Sequence, residues 1–148
     1  MININTYSEK NIPSEKIQNE VVDFLFESLE QYGDPKSDIK KCLDYAFGKN
    51  NKPGGNLVIA ENSETQEIAG AVIVNKTGME KYIPENILVY IATDKNLRGQ
   101  GVGKKLMETA ISEAEGDIAL HCEPENPAKY LYEKLGFTSK YLEMRLKK

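Results

Sequence analysis

The chain has 148 residues, 40% hydrophobic and 28% charged, a length and balance that suit one soluble domain over residues 1–148 and exclude disorder, collagen and coiled coil. With 19 Lys and Arg against 23 Asp and Glu the formal charge is −4, so the positive field used in nonspecific nucleic-acid binding is missing and no nucleic-acid partner is expected. The longest apolar runs, residues 68–74 and 87–92, fall far short of the roughly 20 residues of a membrane span, and residues 1–5 alternate polar and apolar instead of forming a secretory core, which leaves a cytoplasmic protein with no membrane partner as the expectation.

Residues 2–7 alternate Ile2, Ile4 and Thr6 with polar neighbours, the pattern of a short strand. Ser14 supplies an N-cap, and Ile17, Val21, Phe24, Leu25 and Leu29 recur at helical spacing up to a stop near Tyr32-Gly33. After Asp34-Pro35, Ser37 can cap a second helix with a stripe of Ile39, Cys42, Leu43, Ala46 and Phe47, closed by Gly48. Residues 57–60 and 68–74 read as a hairpin, and the continuous apolar run 87–92 as a central strand buried on both faces. From Val102 the period becomes helical through Leu106, Met107, Ala110, Ile111 and Ala114, ending near Gly116. Residues 118–120 form a short strand. Asn126 and Pro127 suit the N-cap and first position of a last helix that Gly136 stops, and Leu142, Met144 and Leu146 alternate as a final strand.

Cys42 and Cys122 have neither metal-ligand spacing nor a disulfide framework, so two buried, reduced thiols and no metal are expected. The single histidine, His121, excludes a His-rich zinc site and reads as a hydrogen-bonded structural residue of the short strand.

The stretch Arg98-Gly99-Gln100-Gly101-Val102-Gly103-Lys104 carries the chemistry, because a buried strand ends just before it and an amphipathic helix begins inside it. Glycines let a ligand approach the main chain, and first-turn amides with the helix dipole favour an anion such as pyrophosphate. A Walker A loop would require Gly at position 98 and Ser or Thr at 105, where Arg98 and Lys105 stand. A dinucleotide fingerprint starting at Gly99 would require Gly or Ala at 104, where Lys stands. Both fail.

Arg98, Gly101 and Gly103, directly after a hydrophobic strand, instead resemble motif A of the GNAT acetyltransferase superfamily, and Asn126-Pro127-Ala128-Lys129-Tyr130-Leu131-Tyr132-Glu133-Lys134-Leu135-Gly136-Phe137 resembles that family's Tyr-Glu-Lys-Leu-Gly-Phe segment. The resemblance is sharp over residues 87–138 and diffuse before them. It implies an α/β fold with a mixed, mostly antiparallel central sheet of six to seven strands, about four flanking helices, and a splayed strand pair that holds acetyl-CoA as a pseudo-strand. Ile91 and Thr93 would pair through their backbones with the pantetheine arm, and the amides of Arg98, Gly99, Gln100, Gly101, Val102, Gly103 and Lys104 would hold the pyrophosphate. Asn126 would contact the cofactor near its thiol end, beside its ordinary role as a helix cap, and Lys129 could reach a phosphate or simply remain solvated.

Tyr132 matches the family tyrosine near the cofactor sulfur, assigned as general acid for the departing thiolate; a phenol with an ordinary pKa near 10 keeps its proton at neutral pH. Glu123 and Tyr90 are possible bases, and neither is assigned. Glu27, Glu30 and Asp34 would border the acceptor groove and favour a cationic amine. The expected activity is acetyl transfer from acetyl-CoA to a small-molecule or peptide amine by direct attack, in a monomer or homodimer. The alternatives are a catalytically silent acyl-CoA-binding sensor or scaffold of the same fold, and an unrelated phosphate-binding α/β domain.

Overall fold

The computed structural model describes residues 1–148. In chain order it runs β1 (Ile2–Tyr7), α1 (Glu15–Leu29), α2 (Lys36–Ala46), β2 (Gly55–Asn62), β3 (Ile68–Lys76), β4 (Asn86–Thr93), α3 (Val102–Glu113), β5 (Ile118–Leu120) and α4 (Lys129–Lys134). The strands form one sheet in sequence order, antiparallel from β1 to β4 and parallel between β4 and β5, where α3 makes the crossover. No helix is long and apolar enough to cross a membrane.

Two helical layers cover the sheet because its central strands are apolar on both faces. On one face Val21, Val22 and Leu25 of α1 and Ile39 and Leu43 of α2 pack on Leu57, Ile59, Ala71, Ile73 and Tyr90. On the other, Val102, Leu106, Met107 and Ala110 of α3, with Tyr132 of α4, pack on Val58, Val72, Val74 and Leu88. Ser14 Oγ caps α1 by accepting from the Ile17 amide at 3.3 Å. The buried Gln18 joins the first layer: its Nε2 donates to Pro13 O at 2.9 Å and its Oε1 accepts from Lys40 Nζ of α2 at 2.9 Å.

One irregularity in β4 sets up everything that follows. Ile73 pairs with Tyr90 but Val74 pairs with Leu88, so Val89 is an extra residue, a β-bulge. In an unbroken strand, residues two apart share a face. Here Leu88 packs with α3 and Tyr90 with α1 and α2, because the bulge reverses the alternation between them.

Several expectations are corrected. The sheet has five strands, not six to seven: Leu142, Met144 and Leu146 belong to no strand and are 90%, 90% and 84% exposed. The second helix begins at Lys36 behind Pro35, without a cap from Ser37. The last helix begins at Lys129 rather than at Pro127. His121 lies exposed just past β5 and makes no side-chain hydrogen bond, since the strand ends before it.

Candidate active site

β4 and β5 pair only over Asn86–Leu88 against Ile118–Leu120. Residues 89–93 of β4 continue without a partner on that side, so the two strands part and leave a stretch of open strand edge beside them. Ile91 and Thr93 lie on this unpaired stretch, both half-buried.

The chain leaves β4 through Asp94, whose carboxylate caps a 3₁₀ turn over residues 95–97 by accepting from the Asn96 amide at 2.9 Å. Arg98, Gly99 and Gln100, all exposed, then lead into Gly101, the N-cap of α3. Gly99 and Gly101 have φ of +84° and +79°, and a Cβ at either would meet nothing within 4 Å. Both conformations disfavour any other residue, and both positions open onto free space. Gly101 brings no side-chain acceptor, so the first-turn amides of Val102, Gly103 and Lys104 keep no side-chain partner. Val102 is buried in the core while Lys104 is exposed.

Gly103, in the first turn of α3, is where that helix meets β4 and α4. A Cβ there would lie 3.6 Å from Thr93 Cγ2 at the end of β4 and 3.3 Å from Leu131 Cδ2 of α4, so the missing side chain lets α4 lie close to the start of α3. On α4, Tyr132 is 8% exposed and Tyr130 69%, as two residues 200° apart on one helix must be. The Tyr132 ring tilts against Phe137 with centroids 6.0 Å apart. Burial, followed by the neighbouring Cys122, pushes its phenol up to about 12. Asn126 is half-buried before α4, and its Oδ1 accepts from the Ala128 amide at 2.9 Å, which shapes the turn into the helix. The structure thus gathers Ile91, Thr93, the glycine turn, the first turn of α3 and the face of α4 that holds Leu131 and Tyr132. The side chains of Arg98, Gln100 and Lys104 project outward without hydrogen-bond partners.

On the other face of β4, Tyr90 donates its hydroxyl to Asp34 Oδ2 at 2.5 Å. Burial, then this bond and the Asp34 charge, raise the Tyr90 phenol above its ordinary value, which suits a donor and not a base. Sequence reasoning weighed both residues separately and missed the pair, because nothing local links a loop to a strand residue 56 positions away. It also missed Val89, whose bulge hides in an uninterrupted apolar run. Glu27, Glu30 and Glu123 are exposed, as is Lys129. Cys42 and Cys122 are half-buried free thiols, the first pushed up to about 12 by burial and the second raised by the same cause.

A cleft of about 400 Å³ lies at the opposite end of the sheet, lined by Gly55, Asn56, Lys76, Glu85, Asn86 and Glu115 among others. Its Glu85 carboxylate accepts from the Lys81 and Asp117 amides at 2.8 and 2.7 Å, which holds it below the usual range and gives it a structural role.

An acetyltransferase (GNAT) domain model matches residues 53–139, more than half of the chain. No curated protein sequence matches it. Among solved structures the chain is similar to a transcriptional regulator from Bacillus halodurans C-125, at 23% identity and a TM-score of 0.70 over 99% of each chain. It is similar to an aminoglycoside N-acetyltransferase in complex with CoA, at 15% identity and a TM-score of 0.70 over 100% of this chain and 95% of that one. A third likeness is to the ribosomal-protein-alanine N-acetyltransferase of Brucella melitensis biovar Abortus 2308, at 15% identity and a TM-score of 0.67 over 99% of each chain. At these identities the likenesses establish a common fold.

Proposed function

The chain belongs to the GNAT acetyltransferase family, and on that premise we propose that it transfers an acetyl group from acetyl-CoA to a primary amine by direct attack in a ternary complex. The observation that carries this reading is the unpaired edge of β4 running straight into two open, left-handed glycines at the start of α3. A long ligand with an amide-bearing arm and a pyrophosphate fits that sequence of surfaces. The aminoglycoside enzyme of the same fold is in complex with CoA, which supports the same reading.

In this proposal the β4 backbone at Ile91 and Thr93 pairs with the pantetheine arm as an added strand would. The amides from Arg98 through Lys104, including Gly99, Gln100, Gly101, Val102 and Gly103, hold the pyrophosphate at the positive end of α3. Asn126 borders the thiol end. Bound acetyl-CoA supplies an activated acetyl thioester and a thiol leaving group. The β4 amides polarise the acetyl carbonyl, and the residues around the unpaired edge of β4 orient the amine against it. Tyr132 retains its proton at neutral pH; it donates a hydrogen bond to the sulfur as charge develops and releases its proton as the carbon–sulfur bond breaks, while the proton that the amine loses on forming the amide passes to solvent, from which the phenolate is reprotonated. The exposed carboxylates Glu27, Glu30 and Asp34 bias the acceptor side toward a cationic amine.

Two measurements test the proposal together. Acetyl-CoA should raise the melting temperature in a concentration-dependent way, and a panel of amines should release CoA thiol from it. Binding without turnover on any amine would leave an acyl-CoA-binding module in place of the enzyme, and absence of binding would remove both.

A further inference from the structure

Tyr132 is 8% exposed, and its hydroxyl has no hydrogen-bond partner in the protein. A buried phenol usually finds one. The side-chain polar atom that is sealed away without a partner is Asn75 Oδ1, so the Tyr132 hydroxyl opens onto free space, as a group kept for a ligand does. Cys122 stands beside the same space. β4 and β5 part after Leu88 and Leu120, and Cys122 follows two residues later, half-buried between the exposed His121 and Glu123. It keeps the alternation of the strand: Ile118, Leu120 and Cys122 all pack on the core cluster that contains Tyr132, and after burial it is the neighbouring Cys122 that raises the Tyr132 phenol. Cys122 therefore borders on the β5 side the gap that Ile91 and Thr93 border on the β4 side.

We propose that Cys122 is a covalent attachment site for CoA, which it takes from the symmetrical disulfide of CoA by thiol–disulfide exchange. The inference rests on the proposed acetyl-CoA site, which sets the cofactor sulfur against the Tyr132 hydroxyl. One half of the disulfide occupies that site as acetyl-CoA would, with its sulfur where the thioester sulfur lies. Cys122 loses its proton to solvent, its thiolate attacks that sulfur, and the sulfur–sulfur bond breaks; the second CoA leaves as a thiolate and takes up a proton from solvent. One thiol and one disulfide give one mixed disulfide and one thiol, so no further oxidant enters. The attached CoA fills the cofactor site and excludes acetyl-CoA until a thiol reductant releases it. The reagent is the oxidised form of the thiol that acetyl transfer itself produces.

Selectivity comes from binding and not from an activated thiol. Burial raises the Cys122 thiol, the Lys129 charge pulls against that rise, and Glu123 and Glu125 add to it. Its Sγ has the Glu123 carbonyl as its hydrogen-bond acceptor, at 3.5 Å. Little thiolate is present at neutral pH, so a small disulfide arriving from solvent reacts slowly. A disulfide held along β4 and the glycine turn presents its sulfur at high effective concentration, which offsets the low thiolate fraction. The second thiol has no such reagent. Cys42 belongs to the layer on the opposite face of the sheet, lies 3.4 Å from Asn75 Nδ2 and is pushed up to about 12 by burial, so it stays reduced under the same conditions.

Intact-mass spectrometry of the full chain after incubation with CoA disulfide tests it. The expected result is a single CoA adduct, mapped to Cys122 by peptide mass, absent from Cys122→Ser, suppressed by excess acetyl-CoA and removed by dithiothreitol. CoA disulfide should label Cys122 about 10²-fold faster than glutathione disulfide at the same concentration, because only the first is held at the site. The labelled chain should lose its thermal shift with acetyl-CoA, and Cys122→Ser should keep the native shift. An adduct on Cys42 in place of Cys122, equal rates with the two disulfides, or labelling that acetyl-CoA does not suppress would overturn the proposal. Absence of an adduct in a chain that acetyl-CoA still stabilises would overturn it alone; absence of both the adduct and the stabilisation would overturn the acetyl-CoA site with it.

Discussion

Tyr90 of β4 donates its hydroxyl to Asp34 Oδ2 across 2.5 Å, tying the strand next to the candidate site to the loop between α1 and α2. The bond exists because the Val89 bulge turns Tyr90 toward those helices. Tyr90→Phe should therefore destabilise the fold by about 1 kcal/mol, the usual net worth of a hydrogen bond whose acceptor can turn to water. Asp34→Ala should cost more, about 1–3 kcal/mol, because it leaves a part-buried hydroxyl without its acceptor. Urea unfolding of both single variants and the double variant measures the coupling; purely additive losses would mean that the pair contributes nothing.

The bulge itself can be removed. Deleting Val89 restores strict alternation and drives residues 90–93 to the opposite face of β4 or forces the pairing to slip by one residue. Tyr90 would enter the α3 layer and the unpaired edge would change its orientation. The deletion should lower the melting temperature by roughly 10 °C or more, as loss of several kcal/mol does in a domain of this size. Native-like melting would show that the register does not depend on the extra residue.

The bulge also marks where the sequence stops being readable. The glycine turn and the Tyr-Glu-Lys-Leu-Gly-Phe segment are local signals, and the structure places them side by side through the contact of Gly103 with Leu131. Cap and stripe of α1 are equally local, and Ser14 caps it as expected. Residues 87–92 are apolar throughout and carry no phase, so a reversal at Val89 leaves no trace in them. Residues 141–146 show the opposite failure: their alternation is clear, yet they join no strand, because a period of two does not supply the edge to pair with. Asp34 and Tyr90 were each visible as chemistry, and only folding could join them.

At the start of α3, Gly101→Ala should lower stability by about 1–2 kcal/mol, because a Cβ at φ of +79° strains the left-handed conformation even where space is free. Gly101→Asp adds a negative charge beside the proposed pyrophosphate site, so it should weaken acetyl-CoA binding well beyond Gly101→Ala when both are titrated calorimetrically. Equal affinities in the two folded variants would place the pyrophosphate elsewhere.

Alkaline pH reports on the burial of Tyr132. Its phenol is pushed up from 10.0 to about 12 in the folded chain, so below pH 10 folded and unfolded states both hold the proton and the contribution is complete. Between pH 10 and about 12 the unfolded chain ionises first and stability falls. Tyr132→Phe should flatten that decline relative to the native chain in unfolding curves taken across this window; an unchanged decline would assign it to other groups.

The steady-state rate of amine-dependent thiol release from acetyl-CoA, compared among the native chain, Tyr132→Phe and Tyr130→Phe, reaches furthest into the proposed chemistry. Tyr132 is buried and Tyr130 faces solvent, so one hydroxyl is lost in each variant but only that of Tyr132 belongs to the proposed site. The native chain should turn over; Tyr132→Phe should lose about 10²-fold in kcat with little change in acetyl-CoA affinity, and Tyr130→Phe should stay near native. Equal rates in all three, or no thiol release with any amine, would contradict transfer assisted by Tyr132.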